Sequence, residues 1–456
     1  MRKLLAVFAA LGMAGSAFSG DLLGLKNLSV DGSIEYIGKQ ANNLSDADDG
    51  VEDSVGKTMS RVRVGLGGQV TEDVTARVEA VRYPDWAGTS AQFDSTTNSA
   101  GDEQFNFEIT NAYIELSDIL GLDTARIGRQ YVGRPGDLIA YFGVMNDDYL
   151  YVNHIDALSA SKKIGPVNVN AVLAKASDDD SVSNDTDNGD LSGDQNVNWI
   201  TASSDELIKV EGATFPLEIG LYQWLDQNSD NANDNQTLNI YDLRAGANLL
   251  DNALKLSLEY AMNAGQDNNG GTAIDYKGNA LVFKAAYDNE DNGWGVKALY
   301  ANASGDDDPA DDSDDAFHSI SSDFRYGQIL SNDLTFANNY GGGSLTNYAI
   351  SGGLDTNSQG PGLNIIGLGG SYNLPILDKK YTAYADYYMA KLNETGAGPD
   401  DIGNEIDLAV KYVHNDNVSI KAGYAMLMPG EALNGTGNPD DDITKLWAKL
   451  MVKWGK

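Results

Sequence analysis

Thr444-Lys445-Leu446-Trp447-Ala448-Lys449-Leu450-Met451-Val452-Lys453-Trp454 decides the fold class. On an extended chain Leu446, Ala448, Leu450, Val452 and Trp454 share one side. Lys445, Trp447, Lys449, Met451 and Lys453 share the other, so an apolar face backs a largely cationic one. The segment is about as long as a tilted bilayer-crossing β-strand needs to be. After the first twenty residues nothing could serve as a membrane-spanning helix.

The same two-residue rhythm recurs upstream. Leu254, Leu256, Leu258, Tyr260 and Met262 oppose Lys255, Ser257, Glu259 and Asn263. Tyr381, Ala383, Ala385, Tyr387 and Met389 oppose Lys380, Thr382, Tyr384, Asp386 and Tyr388. Ile406, Leu408, Val410 and Tyr412 oppose Glu405, Asp407 and Lys411, and Val62, Val64 and Leu66 oppose Arg61 and Arg63. Connections alternate between short and long. Short ones fall at residues 71–73, 117–123, 163–166, 211–216, 250–252, 289–293, 330–333, 374–379 and 414–417, mostly with the Asn, Asp, Gly or Pro that turns require. Long ones, at 41–57, 178–196, 226–236, 304–315, 341–360 and 429–442, are rich in Asp, Asn, Gly and Ser. This asymmetry predicts an all-β fold, a closed antiparallel transmembrane β-barrel with short periplasmic turns and long acidic extracellular loops. A raw count gives about 20 strands, softest around residues 196–224, within an expected range of roughly 16–20.

The N-terminus reads as a secretory signal over residues 1–19, leaving 20–456 as a single barrel domain. Arg2 and Lys3 precede an apolar stretch of about eleven residues, too short to span a bilayer, and Ala17-Phe18-Ser19 offers a cleavage site. An exported chain with no cysteine must hold itself together by burial and backbone pairing, which a closed barrel provides. A formal charge of −36 excludes a general nucleic-acid binder. Tyr outnumbers the other aromatics, 23 against 11 Phe and 6 Trp. Tyr36, Tyr83, Tyr113, Tyr131, Tyr151, Tyr222, Tyr326, Tyr372 and Tyr412 lie near strand ends, where a ring at headgroup level keeps its hydroxyl wet. Strand propensity alone also favours Tyr.

Two segments carry a family resemblance. Ala125-Arg126-Ile127-Gly128-Arg129-Gln130, with Gly136-Asp137-Leu138 and Asn153-His154-Ile155-Asp156-Ala157-Leu158, is the first. Glu405-Ile406-Asp407-Leu408, through Val418-Ser419-Ile420-Lys421-Ala422-Gly423-Tyr424 to Met428-Pro429-Gly430-Glu431, is the second. Together they resemble the alginate-export family of outer-membrane porins. The resemblance implies an 18-stranded barrel with a long inward-folding loop after the Gly-Arg-Gln strand. Ala157 stands where that family usually has Gly, and Trp454 lies two residues before the end rather than at it.

By alternation the lumen carries Arg61, Arg63, Arg77, Lys255, Lys297, Lys411, Lys421, Lys445, Lys449 and Lys453 beside Asp31, Glu35, Glu79, Glu108, Glu259, Asp386, Glu405 and Asp407. Such a mixed wall either selects by charge and dipole or simply pairs across strands. Arg126, Arg129 and Arg134 precede a loop at residues 136–149 that is apolar at Leu138, Ile139, Ala140, Tyr141 and Phe142. A loop that greasy is expected inside the barrel, with Arg129 and Arg134 near the eyelet; alternation puts Arg126 inward and Arg129 outward unless a bulge intervenes.

Asp306, Asp308, Asp312 and Asp315 are weak candidate ligands for a divalent cation, as are Asp178-Asp179-Asp180. Calcium on the outer loops, bridging to lipopolysaccharide, is the candidate ion. Asp185-Thr186-Asp187-Asn188-Gly189 matches only part of a calcium loop. With His154, His318 and His414 as the only histidines, no catalytic or metal spacing can be assembled, and no enzyme is expected. The expectation is an outer-membrane, porin-like channel passing hydrophilic solutes or anions, with polysaccharide export as a narrower version. Outer-membrane lipid, lipopolysaccharide and the barrel-assembly machinery are its expected partners. The alternative is a surface adhesin or receptor barrel with acidic loops and a plugged lumen.

Overall fold

The computed structural model describes residues 25–43, 54–82, 107–145, 148, 150–177, 195–226, 235–268, 273–308, 310–331, 360–376, 378, 380–396, 398–434 and 441–455. The expected signal segment, Tyr83, and the acidic runs at 178–180 and 185–189 lie outside them. Among the described residues, twenty-two strands hydrogen-bond into one sheet. Four are short pieces within connections: Lys209–Val210, Ala213–Thr214, Ile274–Tyr276 and Ser313–Asp314. The other eighteen form the barrel. They are β1 Lys26–Asn42, β2 Val55–Gln69, β3 Val74–Arg82, β4 Glu108–Ser117, β5 Thr124–Gln130 and β6 Ile155–Ile164. Then come β7 Val167–Ser177, β8 Gln195–Ser204, β9 Leu217–Asp226, β10 Gln236–Leu249, β11 Leu254–Asp267 and β12 Asn279–Asn289. The last are β13 Trp294–Ala303, β14 Leu363–Leu374, β15 Tyr381–Leu392, β16 Asp401–Asn415, β17 Val418–Pro429 and β18 Ile443–Trp454.

Every sequential pair is antiparallel, and β1 pairs with β18 from Gly32–Trp454 to Asn42–Thr444, so no edge strand is left. Closure satisfies the backbone polar groups inside the sheet, which is the condition for crossing hydrocarbon. The outward face is apolar. Leu446 is 62 % exposed, Leu368 58 % and Ile219 56 %, and Leu258, Met262, Leu408 and Val410 line the same surface. In water such a band would be a liability; against acyl chains it is the required surface.

Aromatic rings mark the rims of this band. Near the short turns, Tyr381 stacks on Tyr412 with centroids 4.8 Å apart, and Tyr287 packs on Trp294 at 5.4 Å. Nearer the long loops, the Tyr387 hydroxyl donates to Asn404 at 2.9 Å, and Asn364 donates to the Tyr300 hydroxyl at 3.3 Å. The girdle expectation holds for Tyr372 and Tyr412 but not for all the tyrosines near strand ends. Tyr131 and Tyr222 point into the barrel, Tyr113 lies beneath the Arg126 guanidinium, and Tyr326 is buried on a loop.

The short-turn end holds both barrel termini. Its turns use left-handed residues, such as Leu250, Asp251 and Asn252 between β10 and β11. Asp123 accepts hydrogen bonds from the Lys162 ammonium at 2.9 Å and the Lys163 backbone, which hold its carboxyl below the usual range. Two expectations fail here. The connection at 205–216 carries a small hairpin of its own, and Leu330 and Ser331, at the start of the expected turn at 330–333, do not link two barrel strands; residues 332 and 333 lie outside the described residues. Leu330 and Ser331 belong to a single long connection from β13 to β14 that enters the lumen. Its apolar run is buried as a strand would be, so burial pattern alone does not separate the two.

Candidate functional site

Two loops fill the lumen towards the long-loop end: the described parts of 131–154, between β5 and β6, and of 304–331, between β13 and β14. Leu138, Ile139, Ala140 and Tyr141 are buried inside the barrel, as the apolar run leads one to expect. They join the second loop through a short backbone ladder. Tyr141 N donates to Ser321 O at 2.7 Å, Ile320 N to Ile139 O at 2.9 Å, and Asp323 N to Asp137 O at 2.9 Å. Asp323 returns the contact by accepting from Gly136 N at 2.8 Å. Around this strap the upper lumen is dry. Inward-facing Leu238, Ile240, Val282, Ile365, Leu427 and Ile443 pack with Ile139, Phe324 and Ile329.

Charged wall residues hold the two loops at several places, among them Arg61 of β2, which donates to Tyr151 O at 3.0 Å. On β10 the Arg244 guanidinium grips Asp137 with two bonds of 3.0 Å. It also reaches Glu218 at 3.1 Å, Asp242 at 2.9 Å and Glu259 at 3.0 Å. Arg134, on the loop itself, adds a 2.5 Å contact to Glu218. Two arginines therefore serve four carboxylates. On the other side Glu405 of β16 accepts three backbone N–H groups of the second loop, from Gln328, Ile329 at 2.8 Å and Leu330 at 2.8 Å. Gly327 has φ of +63°, and a Cβ there would meet the Glu405 carboxylate. Lys445 of β18 donates to Gln328 O at 2.9 Å and to Asp148 of the first loop at 2.5 Å, so one ammonium touches both loops.

Below the strap the wall is charged and unevenly so. Across β1–β3, Arg61 pairs with Glu35 at 2.8 Å, Arg63 with Glu79 at 3.2 Å, and Arg77 with Asp31 at 2.7 Å and Glu79 at 2.9 Å. Tyr131 donates to Glu79 at 2.7 Å. Across β16–β18 the balance tips. Lys411, Lys421 and Lys449 are Cα partners on adjacent strands. Lys421 lies over the Tyr384 and Trp447 rings at 4.9 and 5.4 Å. Lys449 reaches Glu35 at 3.0 Å, and nearby Lys297 pairs with Asp386 at 2.9 Å. Gly423 leaves room for the Trp447 ring, since a Cβ there would lie 2.8 Å from it. A cavity of ≈ 610 Å³ opens beneath Arg134 and Arg244 along β7–β12, towards the short-turn end.

The expected pore residues therefore fall in several places. Arg61, Arg63, Arg77, Lys255, Glu259, Asp386 and Lys421 face the lumen; Arg126 does too, paired with Glu115 at 2.6 Å near the short turns. Arg134 sits at the strap. Glu108 takes His154 at 2.6 Å near the long-loop end. Arg129 does not reach the eyelet. It shares the outward face with Ile127, 54 % exposed, and pairs with Asp156 at 2.9 Å. Strict alternation wins there, and an exposed pair of this kind contributes about 0.2–1 kcal/mol. Arg129→Ala is expected to leave the reversal potential in a salt gradient unchanged; a shift would place the side chain in the pore after all. Asp306, Asp308, Asp312 and Asp315 are not gathered: among the described residues no group of three His, Asp or Glu is arranged to hold a metal ion. Asp306 and Asp308 instead accept backbone N–H bonds within their own loop.

The alternation reading passed over Arg244, Asp242, Glu218 and Lys284. The one available signal was the pair Asp242 and Arg244 two apart on a strand. Leu238 and Ile240 on the same side obscured it.

A closed barrel with a lipid-facing apolar band, a charged lumen and infolded loops is a transmembrane β-barrel of the porin type. No protein-family model matches the chain, and no curated protein does. Solved structures do. It superposes on Pseudomonas aeruginosa OccK9 (OpdG) with a TM-score of 0.57 at 14 % identity, covering 95 % of this chain and 100 % of that one. For P. aeruginosa OccK8 (OprE) the values are 0.55 and 12 %, covering 94 % and 98 %. For P. aeruginosa OccK2 (OpdF), solved with glucuronate, they are 0.53 and 10 %, covering 95 % and 97 %.

Proposed function

We propose that this protein is a passive channel of the bacterial outer membrane for small hydrophilic solutes, with a preference for anions. The carrying observation is the inward lysine row Lys411–Lys421–Lys449 on one wall of a lumen that also holds a cavity of ≈ 610 Å³ under the strap, lined by β7–β12. The chain as a whole is strongly acidic, so a cationic stripe confined to one lumen wall creates a transverse field that draws carboxylates and turns dipoles. The glucuronate bound to OccK2 is a solute of the size and charge this wall suits. Conduction down a gradient needs no catalytic group, and the chain is read as a conduit without enzymatic activity. Insertion by the barrel-assembly machinery and contact with lipopolysaccharide at the acidic loops complete the reading.

Polysaccharide export rests on the sequence resemblance alone. Two loops bonded to each other across the lumen count against a bore wide enough for a polymer. The same loops lend support to the rival receptor with a closed lumen. Planar-bilayer recording separates the two. Discrete conductance with an anion-directed reversal potential is expected, and a silent bilayer with correctly folded protein would favour the receptor.

A further inference from the structure

We infer that Lys255 and Lys284 form a second carboxylate subsite, below the strap and apart from the lysine row. This deepens the channel reading and rests on it. Lys255 lies opposite Ala286 and Lys284 opposite Ser257 in the β11–β12 register, so the two lysines are diagonal neighbours on one face. Side chains this long reach a common point from such positions. Both line the ≈ 610 Å³ cavity, with Ser203, Ser257 and Asn168 as further polar groups.

The charge distribution of the cavity makes these two groups different from the arginines above them. Arg134 and Arg244 are committed to Asp137, Glu218, Asp242 and Glu259. Among the described residues, Lys255 and Lys284 form no ion pair. Lys284 instead holds its ammonium 4.8 Å from the centre of the Phe324 ring on the strap, an aromatic face beside the charge. An ammonium pair with adjacent hydroxyls and a ring face suits a small acid that carries one carboxylate and several hydroxyls. Its carboxylate lies between the ammonium groups, and its hydroxyls meet Ser203, Ser257 and Asn168. Such a solute meets this subsite after passing the strap from outside, or first when it arrives from the short-turn side.

Glucuronate added on the short-turn side of a single channel is the test, with glucose as the uncharged control. Glucuronate is expected to interrupt the current of the native protein. K255M/K284M is expected to weaken that block about tenfold, the scale of losing hydrogen bonds to a charged group. Glucose permeation in liposomes should stay unchanged. Correct folding of the variant is read from heat-modifiable gel migration. Block of unchanged strength in a folded, conducting double variant overturns the subsite, as does native protein that conducts without any block from that side. Native protein that never conducts overturns the channel reading itself.

Discussion

Arg244→Ala is expected to turn the lumen cation-selective. The substitution removes the one guanidinium that contacts Asp137, Glu218, Asp242 and Glu259 together. Arg134 alone then faces four carboxylates. Removing one partner of a buried ion pair costs about 3–5 kcal/mol because the other charge is left uncompensated. Here that cost falls on the fixing of the strap, while the barrel ladder stays intact. The reversal potential in a potassium chloride gradient should move by tens of millivolts towards the potassium limit. Arg244→Lys keeps the charge but not the planar fork, so it should recover only part of the selectivity. An unchanged reversal potential in Arg244→Ala would mean that ions do not pass this cluster.

The second large effect is expected at Glu405. Its carboxylate accepts three N–H groups at residues 328–330, and each buried donor left without a partner costs roughly 1–3 kcal/mol. Glu405→Ala should free residues 304–331 from the β16 wall. Single-channel conductance should rise severalfold and become noisy, while gel migration still reports a folded barrel. Glu405→Gln retains one acceptor oxygen and should fall between the two. Native-like conductance in Glu405→Ala would show that Lys445 and the bond ladder to residues 137–141 hold the strap without it.

The period-two pattern carried the barrel, its apolar band and most of its inward charges, because lipid and water impose opposite demands on successive residues. It failed where that opposition is absent. Leu238 and Ile240 face inward yet are fully buried, since the strap dries the upper lumen. There Leu238 and Ile240 alternate with Thr237 and Asn239 on the outward face, so the pattern runs against that of Asp242 and Arg244 further along the same inward face. The strap itself was half legible. The run from Leu138 to Phe142 is too greasy for a solvated loop, and its fate follows from that. Residues 316–331 hold Ile320, Phe324, Ile329 and Leu330 in strand-like company, and no local feature says they cross the lumen rather than line it. Which carboxylates meet Arg244 is a matter of register between distant segments. Asp137 and Arg244 are 107 residues apart. Only closure of the sheet brings them together.

The seam between β1 and β18 sets residue 41 opposite residue 445. Nearly the whole polypeptide must therefore be delivered to the membrane before the ring can shut. Up to that moment β1 and β18 each present a bare row of amide and carbonyl groups, ready to adhere to any other extended chain. Loss of β18 alone would leave β17 and β1 both with an unpaired margin.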